Sequence, residues 1–502
     1  MKLNLPAGLI VVLAFAQVEA HAADEPKRPN FVLIIADDMA WNDCGAFGNP
    51  KIRTPNIDKL AREGMRFDRA FVTCSSCSPS RSSMITGRYP HNTDADELHA
   101  PLPAEQITFV EKLKASGYWT AAAGKWHLGN AVKNRFNVVR DANSAGFQLP
   151  TDKNAKTRMT AEGSSAVQSG CDQWIPVLRE RPKDKPFFLW LASFDPHRDY
   201  QPGAIPKPHA PEDVVIPPYL PDLPEVRQDL ALYYDEIGRL DHHVGEVLAE
   251  LDRQGVSTNT YVLFLSDNGR PFPRCKTTLY DSGIKTPWIV RAPGRVEAGG
   301  RCESLVSTID IAPTFLGLAG IKPGPTFQGE DISRLFRDPK AKLHHMIFAE
   351  RNWHDYAARG RAVRTETFKY IKNDDNINPL TPPADAVRSL TFVAMRRLHD
   401  EGKLSRLQEW CFESPRPAEE LYDVMADPDE LTNLASDPKY TKTLADMRRE
   451  LFIWTNETLD LKPETLSPDE FDRSTGEPLP NRVRPRPTKK GTRAGAVSKP
   501  AK

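Results

Sequence analysis

Four short apolar runs, each ending in charged or metal-binding side chains, restrict this chain more than any other feature. They are 31-FVLIIADD-38, 119-WTAAAGKWHLG-129, 187-FFLWLASFDPH-197 and 261-YVLFLSDNG-269. β-Branched and aromatic residues dominate them, and helical patterns separate them. That alternation is the signature of an α/β fold with a mostly parallel sheet. In open α/β sheets, ligands bind beyond the carboxyl ends of the strands. Residues far apart in the chain are therefore expected to converge at one sheet edge.

Between the third and fourth runs, Pro224–Gly255 carries Leu230, Ile237, Leu240, Val244, Val247, Leu248 and Leu251 near helical spacing, with Gly255 as its stop. His242 and His243 on this helix read as solvated or packing residues. After about residue 345 the pattern changes. The segment 359-RGRAVRTETFKYIKN-373 alternates like one antiparallel strand, and Thr441–Thr455 reads as a closing helix. A smaller α+β domain is expected over 359–470, following a catalytic body over 23–358. No internal repeat is visible.

The two ends read differently. Residues 1–22 have Lys2, an apolar stretch over Leu9–Phe15 and Ala20-His21-Ala22, the pattern of a secretory signal peptide. Residues 471–502 form a Pro-rich basic tail expected to be disordered. Formal net charge is 0, but the tail's last 22 residues hold eight basic and no acidic side chains. The body is left with 58 basic against 66 acidic groups, a net near −8, so a footprint for nucleic acid is absent. No run beyond the leader approaches the ~18 apolar residues of a membrane span. An exported protein, periplasmic or secreted, is expected.

Asp37 and Asp38 end the first run; Asp267 and Asn268 end the fourth. Three carboxylates and an amide oxygen form a hard, oxygen-only donor set suited to Ca2+ or Mg2+. Lys125 and His127 end the second run, His197 ends the third, and Lys276 follows the fourth. A metal, lysines, an arginine and histidines at one edge would make a site for a tetrahedral oxyanion, with acid–base groups beside it.

The stretch 74-CSSCSPSRSSMITGRYPH-91 places Cys77 before Ser78-Pro79-Ser80-Arg81. Proline near a first turn marks a helix start. Cys77 would then sit at the positive end of a helix dipole, with Arg81 one turn on. The other cysteines (44, 74, 171, 275, 302 and 411) are scattered, and Cys74-x-x-Cys77 has no second half of a zinc site.

Cys77-Ser78-Pro79-Ser80-Arg81 resembles the C-x-P-S-R signature of the type I sulfatases, and 82-SSMITGRYP-90 continues it. The resemblance also takes in Asp37-Asp38, Lys125-x-His127, His197, Asp267-Asn268-Gly269 and 421-LYDVMADPDELTNLASDP-438. It implies the alkaline-phosphatase-like fold: a large, mostly parallel central sheet flanked by helices, with a smaller C-terminal domain containing an antiparallel sheet. It implies that a formylglycine-generating maturation enzyme oxidises Cys77 to formylglycine, leaving six cysteines. Cys74 lacks the following x-P-x-R. The stretches 194-FDPHRDY-200, 216–248 and 266-SDNGRPFPRCKTTLYDSG-283 look like the heparan N-sulfatase (N-sulfoglucosamine sulfohydrolase) branch. Its lysosomal member has arginine where this chain has Lys276, and the two are not equivalent. Lys276 is preferred to Lys285, which reads as the entry to the next strand.

The resemblance further implies the roles. Hydrated formylglycine at 77 attacks sulfur. A metal, Ca2+ by family habit with Mg2+ the alternative, is held by Asp37, Asp38, Asp267, Asn268 and residue 77. Arg81, Lys125 and Lys276 stabilise the sulfuryl oxygens, and His197, with or without Lys276, protonates the leaving atom. A covalent sulfate ester forms, and His127 takes the proton from the second hydroxyl to expel sulfate. Arg198, His354 and Asp355 are candidate substrate contacts, the alternative for His354-Asp355 being an interdomain hydrogen-bond network. The substrate implied is a sulfated saccharide, N-sulfoglucosamine first. The alternatives are a glycan O-sulfatase, a phosphonate or phosphate monoester hydrolase, and a non-catalytic glycan-binding protein.

Overall fold

The computed structural model of the chain describes residues 28–142 and 169–480. The leader expected over 1–22 and the last 22 residues of the basic tail lie outside that range. Strands are β1 (Asn30–Ala36), β2 (Met65–Phe67), β3 (Ala70–Phe71), β4 (Trp119–Gly124), β5 (Val138–Asp141), β6 (Phe187–Ala192) and β7 (Thr260–Ser266). They continue with β8 (Trp288–Arg291), β9 (Gly300–Cys302), β10 (Val306–Ser307), β11 (Met346–Arg351), β12 (Gly360–Thr365), β13 (Phe368–Asn373) and β14 (Glu419–Asp423).

The large sheet runs β5-β4-β6-β1-β7-β8-β2-β9. Strands β5 to β7 are parallel, and β8 turns against β7. The four apolar runs are thus four adjacent strands, β4, β6, β1 and β7. Every residue of β1, β6 and β7 is buried, because helices cover both faces, and that is why the runs are continuously apolar.

The helices needed here are α1 (Pro55–Glu63), α2 (Cys77–Thr86), α3 (Phe109–Ala115), α4 (Trp174–Glu180), α5 (Pro224–Arg253), α6 (Ile311–Leu318), α7 (Leu390–Asp400) and α8 (Thr441–Glu457). On one face, Phe31, Leu33, Ile35 and Trp190 pack with Phe109 of α3 and Phe315 of α6. On the other, Val32, Ile34, Leu189 and Phe264 pack with Ile237, Leu240 and Val244 of α5. Each such side chain contributes about 1.5–3 kcal/mol by burial, so the sheet is held from both sides.

The second sheet runs β11-β12-β13-β14, all antiparallel, and α8 covers it through Leu444, Met447, Leu451 and Trp454. The single strand expected over 359–373 is a hairpin, with Arg364 opposite Lys369 across Glu366-Thr367. A two-residue turn preserves the period-2 pattern, so the alternation ran through it unbroken. The sheet also starts earlier than residue 359, at β11. Residues 471–480 are not a free tail: the Leu479 N–H donates to Glu470 O, and Phe471 bridges Pro478. Val387, Phe392 and Met395 return to the core beneath α5, so this part of the C-terminal region packs against the large sheet's helical layer. All seven cysteines are unpaired and buried. Among the described residues, no helix is long and apolar enough to cross a membrane.

Candidate active site

Four adjacent strand ends deliver most of the site. β1 runs into Asp37 and Asp38, β7 into Asp267 and Asn268, β4 into Lys125 and His127, and β6 leads to His197. Gly124 makes the turn out of β4. Its φ is +96°, and a Cβ there would stand 1.8 Å from the Ala192 carbonyl oxygen, so only glycine lets β4 and β6 stay paired up to the site.

Cys77 is the first residue of α2, with Ser76 as N-cap. Its Sγ lies 3.4 Å from Asp37 Oδ1 and 3.7 Å from Asp38 Oδ1. One oxygen each of Asp37, Asp38 and Asp267 and the Cys77 sulfur lie within 4.8 Å of one another. Asn268 donates to Asp38 Oδ1 at 2.7 Å, while its own Oδ1 is buried and has no protein partner. A cluster of hard oxygen donors with an orphaned amide oxygen fits a Ca2+- or Mg2+-like cation.

Buried cations face this cluster. Arg81 donates through Nε to Asp267 Oδ2 at 2.8 Å and through Nη1 to the Lys125 carbonyl at 3.0 Å. Lys125 pairs with Asp37, and Lys276 Nζ lies 2.7 Å from Asp38 Oδ2. Burial alone would discharge both lysines, but the facing carboxylates raise their pKa values and keep them charged. Burial acts on Asp37 in the opposite sense, yet Lys125 holds it below the usual carboxylate range. Asp267 goes up: burial and the neighbouring Asp37 outweigh Arg81, the signature of carboxylates crowded together. Burial also drives the Cys77 thiol well above its usual value, against Lys125 and Lys276. Lys285 lies elsewhere, 3.4 Å over the ring of Trp41.

His197 Nδ1 donates to the Arg198 carbonyl at 2.5 Å, which turns Nε2 toward Asp38 Oδ2, 3.8 Å away. Nε2 also lies 3.9 Å from Asp385 Oδ2. His99 Nδ1 lies 2.7 Å from His127 Nε2, and the backbone N–H of His99 donates to Ser78 Oγ. Asp38, His99 and His127 have φ of 71°, 65° and 54°, the left-handed region that costs a non-glycine residue of order 1 kcal/mol or more. Such strain collects where packing dictates a functional geometry.

Sequence reasoning missed His99 and Asp385. Neither ends an apolar strand, and Asp385 lies beyond the expected domain boundary. The only local signal is the rigid Pro382-Pro383 before Ala384-Asp385. Trp353 packs with Leu98 against Cys77, and beside it His354 Nδ1 is 3.2 Å from Asp355 Oδ2. Asp355 also accepts the Ala384 N–H at 2.8 Å.

Arg198 requires a correction. Its guanidinium is not offered to a substrate but grips both oxygens of Asp229 on α5 at 2.7 and 2.8 Å. Its Nε donates to Pro271 O at 2.9 Å, and the group lies over Tyr200 and Phe272. A bidentate pair flanked by rings ties three of the five guanidinium N–H donors to the protein and fixes the group against α5.

Residues 29–321 match the family model described as Sulfatase. The chain belongs to the sulfatase family. Within this sulfatase, residues 274–380 also match the model for the N-sulphoglucosamine sulphohydrolase C-terminal region. The sulfatase is 30% identical over 474 residues to an ulvan-active sulfatase of Formosa agariphila, covering 86% of this chain and 75% of that one. It is also 30% identical over 487 residues to the N-sulphoglucosamine sulphohydrolase of Homo sapiens, covering 88% and 92%. In fold it is similar to a solved protein in complex with its substrate D-glucosamine-2-N,6-O-disulfate, with TM-score 0.64, 19% identity and coverage of 87% and 99%. The alkaline-phosphatase-like sulfatase architecture accounts for the strand ends that meet at Cys77.

Proposed function

We propose that this sulfatase is exported and removes the N-sulfo group of glucosamine from a heparan-type saccharide, working from a formylglycine at position 77. The observation that carries the reading is the seat of Cys77: the first residue of a buried helix, within 3.7 Å of two carboxylates and facing Lys125 and Lys276. Its oxidation by a maturation enzyme would put oxygens where the sulfur now sits. A Ca2+ ion, or Mg2+ in its place, held by Asp37, Asp38, Asp267, Asn268 and residue 77, would polarise a sulfate oxygen and acidify the attacking hydroxyl.

The chain's own residues do the rest. Arg81, Lys125 and Lys276 are fixed cations in a dry site, where preorganised charge is most effective on developing sulfuryl oxygens. Burial, with His99 and Lys125 next, pushes the His127 pKa well down and leaves a neutral ring able to take a proton. His197 has its Nδ1–H fixed on a carbonyl, so proton delivery to the leaving atom falls to Nε2. Trp353 packs beside Cys77, and with His354 and Asp355 following it in the chain it would offer an apolar face and polar groups suited to a sugar ring. The C-terminal family match and the human relative support glucosamine as that sugar. The ulvan-active relative at the same identity favours a second reading, an O-sulfatase of another glycan.

The test is release of free glucosamine from N-sulfoglucosamine by protein whose Cys77 is shown by mass spectrometry to be converted, with Cys77→Ala as control. Release by the wild type alone is expected. No release by converted protein that does hydrolyse O-sulfated sugars would move the assignment to the second reading.

A further inference from the structure

Asp385 stands beside His197 in the candidate site. It belongs to the C-terminal region, yet its Oδ2 lies 3.9 Å from His197 Nε2, the nitrogen assigned to proton delivery. Its Oδ1 is fixed by the Ala386 N–H at 2.7 Å. The other carboxylate at this nitrogen, Asp38, is fully buried and paired with Lys276, whereas the Asp385 side chain is 19% exposed. The charges that act on Asp385 are Lys276 first, which pairs with Asp38, then His197, Asp355, held by the Ala384 N–H beside His354, and Arg198, held by Asp229. Asp385 is therefore the carboxylate at His197 Nε2 that a substrate atom can reach.

We propose that Asp385 is a specificity-determining residue that selects a nitrogen leaving group by receiving the ammonium it becomes. The proposal rests on the N-sulfo reading above. When the S–N bond breaks, its electron pair leaves on nitrogen and takes one proton from His197. The resulting amine takes a second proton from solvent and becomes a cation that can no longer attack the sulfo-enzyme in reverse, so holding it commits the transfer and enters kcat/KM. An O-sulfate's departing oxygen takes one proton and stays neutral. A fixed, accessible carboxylate beside that atom distinguishes the two by charge.

The experiment compares wild type, Asp385→Asn and Asp385→Glu, all with converted Cys77. Asparagine keeps an acceptor for the Ala386 N–H. With Asp385→Asn, kcat/KM for N-sulfoglucosamine should fall about 10- to 100-fold more than for 4-nitrophenyl sulfate, whose leaving group needs no proton. Inhibition of 4-nitrophenyl sulfate hydrolysis by glucosamine should weaken, inhibition by glucose should not, and Asp385→Glu should recover part of both losses. An equal fall on both substrates, or unchanged inhibition by glucosamine, would overturn the proposal. Should the wild type leave N-sulfoglucosamine intact, the N-sulfo reading fails on that result. The glucosamine-against-glucose comparison then still decides Asp385: a wild-type preference for glucosamine lost in Asp385→Asn supports it, and no preference overturns it.

Discussion

His99 Nδ1 and His127 Nε2 stand 2.7 Å apart, so a single proton serves the two facing nitrogens. His99 thereby fixes the His127 ring, the proposed base, and its proximity, after burial, depresses the His127 pKa. The base works only when neutral, and a depressed pKa keeps it neutral to lower pH. In His99→Ala that pKa rises toward its ordinary value. The acidic limb of the kcat–pH profile should move to higher pH, and kcat at its plateau should fall about tenfold, part of the ~10²–10⁴ a positioned base contributes. An unmoved limb would show that His99 does not act on His127.

That pair also marks where the sequence stopped being informative. Asp37, Asp267, Lys125 and His197 were legible as one group because each follows an apolar strand, and parallel strands share one carboxyl edge. His99 and Asp385 follow no strand. Tertiary packing and, for His99, a left-handed backbone place them, and neither leaves a periodic trace. The hairpin at 366–367 was hidden for a related reason, since its turn is Glu-Thr rather than the usual Asn-Gly. Arg198 misled because sequence adjacency to His197 says nothing about where a side chain points; its backbone carbonyl serves the site, while its guanidinium faces α5.

The orphaned Asn268 Oδ1 and the crowded carboxylates predict that a divalent cation stabilises the fold. Binding confers about 2.7 kcal/mol at a free cation concentration a hundred times Kd. Chelator-treated protein should therefore melt earlier, and Ca2+ should restore the Tm. Asn268→Ala should narrow the gap between the chelated and Ca2+-loaded forms. Indifference of Tm to chelator and Ca2+ would remove the metal assignment.

His91 ties the loop after α2 to the second sheet, its Nδ1 2.6 Å from Glu350 Oε1. Burial would lower its pKa, but the Glu350 carboxylate raises it above the ordinary 6.5. A raised histidine contributes stability that is complete below 6.5 and is lost as pH climbs through the folded-state pKa. Wild type should therefore exceed His91→Gln by about 1.5–3 kcal/mol near pH 6, with the gap closing in alkaline buffer. Chemical denaturation at several pH values measures it, and a gap that widens with pH would contradict the pairing.

Arg198 offers the sharpest contrast between position in the chain and position in space. It is buried against Asp229, whose Oδ2 also accepts the Thr391 hydroxyl at 2.6 Å, so one carboxylate joins the His197 loop, α5 and α7. Removing one partner of a buried ion pair leaves the other charge uncompensated, at about 3–5 kcal/mol. Lysine cannot restore a bidentate, ring-flanked contact. Both Arg198→Ala and Arg198→Lys should then lower the Tm, while KM for the sulfated sugar stays within about twofold of wild type. Any loss of kcat should follow His197, whose Nδ1–H depends on the carbonyl at 198. A large rise in KM with an unchanged Tm would instead put the guanidinium on the substrate.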